Sequence, residues 1–293
     1  ILRGQSQDGM VRGMATQSSG ADHCEVEEWE GMPYGEVTSG SNTAYADADG
    51  NYVIDLDGNT ITSYLEGLYF NVQNQGGSDS SVTINVSGPS DGVISHNQPN
   101  TSEYYRAEVN GYLHANIVRD FTLAYNPSYP VIANQYDWPV NVNISSTCNA
   151  YYDYESINFY RAGGGCGNTA FSVVVHHEYG HALVRNLAGS MWMQADDLGI
   201  DWTPGALNEG VADTFAMVLN PDPLLAEHLG ESERWDRAIR DFSSDRVCPG
   251  DLQGQVHRSG QIWGSMAWNM VEDPELGPEL VGDLLVAAVA TWD

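Results

Sequence analysis

VVVHHEYGHALV, residues 173–184, sets three histidines and a glutamate inside an apolar run. Burying that many ionisable groups is unfavourable unless they are paired or hold a metal. At about 100° per helical residue, His177 and His181 fall on one face, so both imidazoles reach one cation; His177-Glu178-Tyr179-Gly180-His181 fits H-E-x-x-H. Glu178 turns toward the same cleft but stays off the metal, which suits a general base. His176 has Gly180 at i+4, so it lacks a second ligand and reads as structural or as a support for the site. Asn168 or Thr169 is expected to cap this helix, Phe171, Val174 and Val175 to give it a buried face, and Gly189 to end it.

Two histidines need a third ligand. A metzincin would continue as H-x-x-G-x-x-H, but positions 184 and 187 are Val and Leu. Instead GALNEGVADTFAMVL (205–219) offers Glu209 on a second amphipathic helix, with Asp213 one turn later. Ala206, Leu207, Val211, Ala212 and Phe215 around them are apolar, which argues against a merely solvated face. Two His, one Glu and a water make a tetrahedral catalytic zinc site with an open position. Asp213 is then placed to hold an imidazole N–H.

The rest of the chain bounds what such a site can serve. Against 40 Asp and Glu stand 11 cations, every one of them Arg, for a formal net charge of −29. That balance excludes the basic footprint of a nucleic-acid binder and disfavours anionic membranes. The charge reads either as solubility in saline surroundings or as carboxylates that bind Ca²⁺. No apolar run approaches the ~20 residues of a membrane helix. The chain begins at Ile1 rather than Met, which reads as a processed or trimmed form. Four cysteines in an export context favour two disulfides. Cys148 and Cys166, close in sequence around a Gly-rich turn, are expected to pair, leaving Cys24 with Cys248.

Residues 1–40 show little periodicity, and residues 41–95 carry short strand-like runs. DADGN (47–51) and DLDGN (55–59) read as hairpin turns; they also resemble the start of a calcium loop but lack its bidentate Glu. TSEYYRAEVNGYLHANIVRDFTLAY (101–125) has Tyr105, Val109, Tyr112, Leu113, Ile117 and Phe121 at helical spacing, with His114 as a packed core histidine. Strand-like runs return near 130–144, and the chain beyond 168 reads as mainly helical.

Over roughly residues 100–272 the sequence resembles the thermolysin-type gluzincin metallopeptidases, including the related fungalysins. NAYYDYESINFY (149–160) is similar to the family's edge strand, whose Asn and Ala hydrogen-bond the substrate backbone, here Asn149 and Ala150. NEGVAD matches the third-ligand helix, which implies Glu209 as ligand, Asp213 as partner of His177 and Asn208 as partner of His181. IRDFSSD (239–245) is similar to the segment whose Arg binds the carbonyl beyond the scissile bond, here Arg240. GQVHRSGQIWGSMAW (254–268) resembles the segment with the transition-state histidine, here His257, and Asp251 lies near the place of the carboxylate that orients it. The helix containing YLHANIVRDF is nearest to the fungalysin side. In place of the family's second oxyanion donor, a Tyr, stands Ile200, with Trp202 a poor replacement nearby, so oxyanion stabilisation leans on His257. LLVAAVATWD reads as a helix cut mid-course, with a closing helix expected after Asp293.

The resemblance implies a secreted, monomeric zinc endopeptidase, made with a propeptide and acting on polypeptides, with Glu178 as general base and His257 stabilising the oxyanion. The fold expected is α+β. A β-rich segment (1–95) precedes a catalytic subdomain (96–188) with the edge strand and the H-E-x-x-H helix. A mainly helical subdomain (189–293) follows, the cleft lying between the last two. Two alternatives are an exopeptidase, for which no amine-capturing segment is evident, and a non-catalytic zinc-containing surface-binding module, against which Glu178 and His257 argue.

Overall fold

The computed structural model describes residues 3–16, 26–88, 91–130, 132–188, 203–230 and 238–291. The lead-in that lacks periodicity is nonetheless built into sheets: β1 (Arg3–Ala15), β2 (Glu28–Gly31) and β3 (Gly35–Ser39) all fall within it. β4 (Asn42–Tyr45), β5 (Asn51–Asp57), β6 (Thr60–Gly67), β7 (Phe70–Asn74), β8 (Ser81–Asn85) and β9 (Val93–Ser95) follow before the long helix α1 (Glu103–Tyr125). β10 (Trp138–Ile144), β11 (Ala150–Tyr152) and β12 (Ile157–Tyr160) lead to α2 (Ser172–Ala188) and α3 (Thr203–Leu219). The short pair β13 (Leu224–Leu225) and β14 (Arg240–Asp241) precedes α4 (Val256–Glu272) and α5 (Gly277–Ala290).

Two sheets organise the N-terminal half. In one, β1 pairs with β2 and β5 antiparallel and with β9 in parallel; the other runs β11-β12-β10-β7-β6-β3-β4, with β8 beside β6. β5 and β6 alternate exposed and buried residues, so Ile54 and Leu56 of the first sheet and Ile61 and Leu65 of the second enter one core. The Asp-Gly turns at 47–51 and 55–59 therefore do not close hairpins. β4 pairs with β3 and β5 with β1, so the first turn carries the chain from one sheet to the other and the second carries it back. Asp47 shapes its own turn, accepting the N–H groups of Asp49 (3.0 Å) and Asn51 (2.8 Å). A hairpin does join β3 to β4, with Ser39 opposite Asn42 and Gly40 at φ +58°.

α1 is buried along most of its length, although Tyr105, expected on its inner stripe, is exposed. His114 is fully buried, its Nε2 2.8 Å from the Thr16 carbonyl oxygen. α2 begins after the two residues expected to cap it. Asn168 Oδ1 instead accepts the Ala170 N–H (3.1 Å). Thr169 Oγ1 accepts the Tyr160 N–H (2.8 Å) and donates to the Asn149 carbonyl (3.0 Å), which ties β12 to the start of β11. Gly189, expected to end α2, lies outside the described residues.

Close helix crossings set the geometry of the second half. A Cβ on Gly180 would meet Ala212 Cα at 3.0 Å, so glycine lets α2 and α3 touch through their backbones. α4 meets α3 as closely: a Cβ on Gly260 would meet the Ala206 carbonyl oxygen at 2.8 Å and Glu209 Cβ at 3.0 Å. α4 is thereby drawn directly against the helix turn that carries Glu209. The disulfide Cys148–Cys166 is present, with sequence separation 18. The second expected bridge is not seen: Cys248 is a free, exposed thiol, and Cys24 lies outside the described residues. Among the described residues no helix is long and apolar enough to cross a membrane.

Candidate metal centre

One turn of α2 separates His177 from His181, and their rings meet edge to face with centroids 4.5 Å apart. Glu209 of α3 faces both. Its carboxylate oxygens lie 3.5 Å from His177 Nε2 and 3.7 Å from His181 Nε2, and the three ligand atoms fall within 4.8 Å of one another. A tetrahedron with metal–ligand bonds of about 2.0–2.1 Å has edges of roughly 3.3 Å, so these residues fit a zinc ion. The other ring nitrogens are held from behind. His177 Nδ1 is 2.8 Å from Asp213 Oδ1, and His181 Nδ1 is 2.6 Å from Asn208 Oδ1. An amide oxygen only accepts, so the His181 ring carries its hydrogen on Nδ1 and turns its Nε2 lone pair toward the shared point, and the Asp213 carboxylate beside His177 Nδ1 favours the same tautomer there.

Charge is dense here. Burial alone would raise Glu209, but His181, Arg240, His177 and His257 hold its carboxyl down at about 2. Burial disfavours a charged His177, yet Asp213 outweighs it and the pKa goes up. Glu178, almost fully buried, is pushed above the usual carboxylate range by burial, against the pull of His177 and His181.

The triad opens into a cleft of about 380 Å³ lined by Asn149, Ala150, Tyr151, Tyr152, Tyr154, Glu178 and His257 as well as the three ligand candidates. Among the described residues β11 ends its sheet, with β12 as its strand neighbour, so Asn149 and Ala150 sit where an extended chain could add itself. A second cavity of about 170 Å³ adjoins it, lined by Val174, Leu225, Ala226, Leu229 and Ile239 with Glu178, His177 and Arg240. His257 stands on the first turn of α4 with its Nε2 3.4 Å from Glu209 Oε1.

Two of the expected site residues sit differently from the sequence reading. Arg240 is buried, with Nη1 donating to Asp213 Oδ1 and Nη2 to Glu209 Oε2 (3.1 Å), so it braces the ligand helix as well as lining the smaller cavity. Asp251 does not meet His257; its Oδ2 accepts the Val247 N–H (2.7 Å). The group at His257 Nδ1 is Gln255 Nε2, at 2.6 Å. Sequence reading missed Gln255, for which a polar residue just ahead of the helix holding His257 was the available signal. It also passed over the cleft-lining tyrosines, announced only by the run Tyr151-Tyr152-Asp153-Tyr154 that follows Ala150. Ile200 and Trp202 lie outside the described residues. His176, adjacent to the ligands, is fully buried away from them, packed edge to face against His114 at 5.1 Å.

No family model matches the chain, and no curated protein matches it. Among solved structures the fold is similar to that of the precursor of protealysin, a metalloproteinase from Serratia proteamaculans. The TM-score is 0.51 at 16% sequence identity, over 72% of this chain and 76% of that one. At that identity the likeness shows a shared fold: α+β, β-rich toward the N-terminus and helical toward the C-terminus. The neighbour is a protealysin precursor and not a fungalysin, so the fungalysin leaning expected from the 101–125 helix is not supported.

Proposed function

We propose that this protein is a secreted zinc endopeptidase. The observation that carries the reading is the convergence, in one cleft beside the β11 end of the sheet, of the His177–His181–Glu209 triad with a buried carboxylate and a further histidine. When bound, zinc supplies Lewis acidity toward a water and a carbonyl oxygen. Glu178 accepts the proton of that water and returns it to the leaving amine nitrogen. His257 donates to the former carbonyl oxygen as negative charge grows there. Asn149 and Ala150 hold the substrate backbone as an added strand, and the smaller apolar cavity takes a side chain next to the scissile bond. Arg240 steadies the substrate carbonyl there while its terminal nitrogens keep Asp213 and Glu209 in place. The Cys148–Cys166 bridge supports an oxidising destination, and a removable propeptide fits an enzyme that must be silent inside the cell that makes it.

The test is hydrolysis of denatured casein with and without a chelator, beside zinc content by elemental analysis. Glu178→Gln is expected to retain zinc and lose activity by about 10³-fold. Near-normal hydrolysis by that variant, or by chelated wild-type protein, would falsify the mechanism.

A further inference from the structure

Gln255 is the N-cap of α4. Its Oε1 accepts the Arg258 N–H at 2.7 Å, as a cap side chain should. This bond fixes which way the amide faces, since an amide group has one acceptor end and one donor end. With Oε1 committed to the helix, the Nε2 end is the one 2.6 Å from His257 Nδ1. An –NH₂ group has only hydrogens to offer, so His257 Nδ1 must present a bare lone pair.

We infer that Gln255 fixes the tautomer of His257, holding the uncharged ring with its hydrogen on Nε2, the nitrogen that faces Glu209 and the cleft. The consequence is chemical. A carboxylate at Nδ1, the partner expected of Asp251, would draw the hydrogen onto Nδ1 and leave the cleft-facing nitrogen of an uncharged ring with nothing to donate. An amide reverses this: His257 is a hydrogen-bond donor toward the cleft without carrying a charge. Gln255 is therefore a positioning residue that acts through His257, and its value to catalysis rests on the proposed role of that histidine. The same amide starts the helix and sets the ring, so the two functions share one orientation.

The discriminating variant is Gln255→Glu. It keeps an oxygen for the Arg258 N–H and adds negative charge at a helix N-terminus, so the thermal midpoint should not fall. It replaces the donor facing Nδ1 with an acceptor. The ring nitrogens of His257 can be followed by ¹⁵N NMR in zinc-loaded protein at pH 9, well above the ordinary imidazole range. The signals are identified by their loss in His257→Ala. Wild-type protein should show the Nε2–H form, and Gln255→Glu should shift to Nδ1–H. At the same pH, kcat should fall at least tenfold and as much as ~10²-fold with little change in KM, the pattern for loss of a donor that acts in the transition state. Ring signals that stay in place in Gln255→Glu, or an Nδ1–H wild type, overturn the inference. A tautomer that switches while kcat holds would uphold the assignment and remove His257 from the catalytic step.

Discussion

His176 and His177 are neighbours on α2, both buried, and they meet opposite surroundings. His176 turns into the protein against His114, and burial together with that second imidazole drives its pKa far below the ordinary value. His177 turns toward α3, where the Asp213 carboxylate reverses the effect of burial. Identical side chains at adjacent positions thus become a neutral packing element and, on the proposed reading, an oriented ligand. The difference lies in what each ring meets: the Asp213 carboxylate and the Asn208 amide oxygen stand behind His177 and His181, whereas His176 meets the His114 ring and the Asn220 amide.

The sharpest way to break this contrast is to truncate both residues. His177→Ala should lose stoichiometric zinc and at least ~10³-fold of activity, with folding retained in circular dichroism. His176→Ala should keep its zinc while losing about 2–4 kcal/mol of stability in urea, the range for emptying a buried ring position. Zinc loss from His176→Ala, or full activity in His177→Ala, would erase the distinction between the two faces. A finer probe is Asp213→Asn, which leaves the ligands but weakens what orients them. It should reduce zinc affinity by roughly 10–100-fold in a chelator competition. No change there would mean that Arg240 and packing alone hold His177 in place.

These predictions rest on residues that the sequence exposes unequally. The H-E-x-x-H helix is legible because helical periodicity alone puts His177 and His181 on one face and His176 on another. Glu209 and Asp213 are legible because apolar residues surround them. The N-terminal sheets are not. β1 finds its partners about 40 and 80 residues away in β5 and β9, and no local pattern announces pairing across that distance. The Asp-Gly turns mislead for a related reason: turn chemistry fixes where the chain bends and says nothing of which sheet the next strand joins. Gln255 stays hidden because its effect on His257 depends on the amide orientation that the helix start imposes.

A further expected effect concerns the other face of the contrast, the buried neutral histidines. An unfolded histidine takes its proton near pH 6.5. Burial holds His114 back to about 4, with the Thr16 carbonyl opposing, and burial holds His96 back to about 3. The unfolded chain therefore binds more protons across that window. Stability is complete above pH 6.5 and declines as pH falls toward 4 and then 3. His114 should account for roughly 3 kcal/mol of the decline. His114→Gln should be less stable than wild type at pH 7.5 but show a shallower drop in urea midpoint between pH 7.5 and 4.5. An equally steep acid limb in that variant would clear His114 of the effect.

The Cys148–Cys166 bridge has one more consequence, which concerns damage rather than folding. It brackets β11, β12 and the exposed tip Asp153–Glu155 between them. On the proposed reading this tip borders a peptide-cutting cleft, where stray cuts by sister molecules fall most readily. A single break at 153–155 would part the main chain yet free no fragment, since both sides stay joined through sulfur. A nicked protein should run as one band until reductant is added, and should go on working with its groove spliced by a bond that is not a peptide.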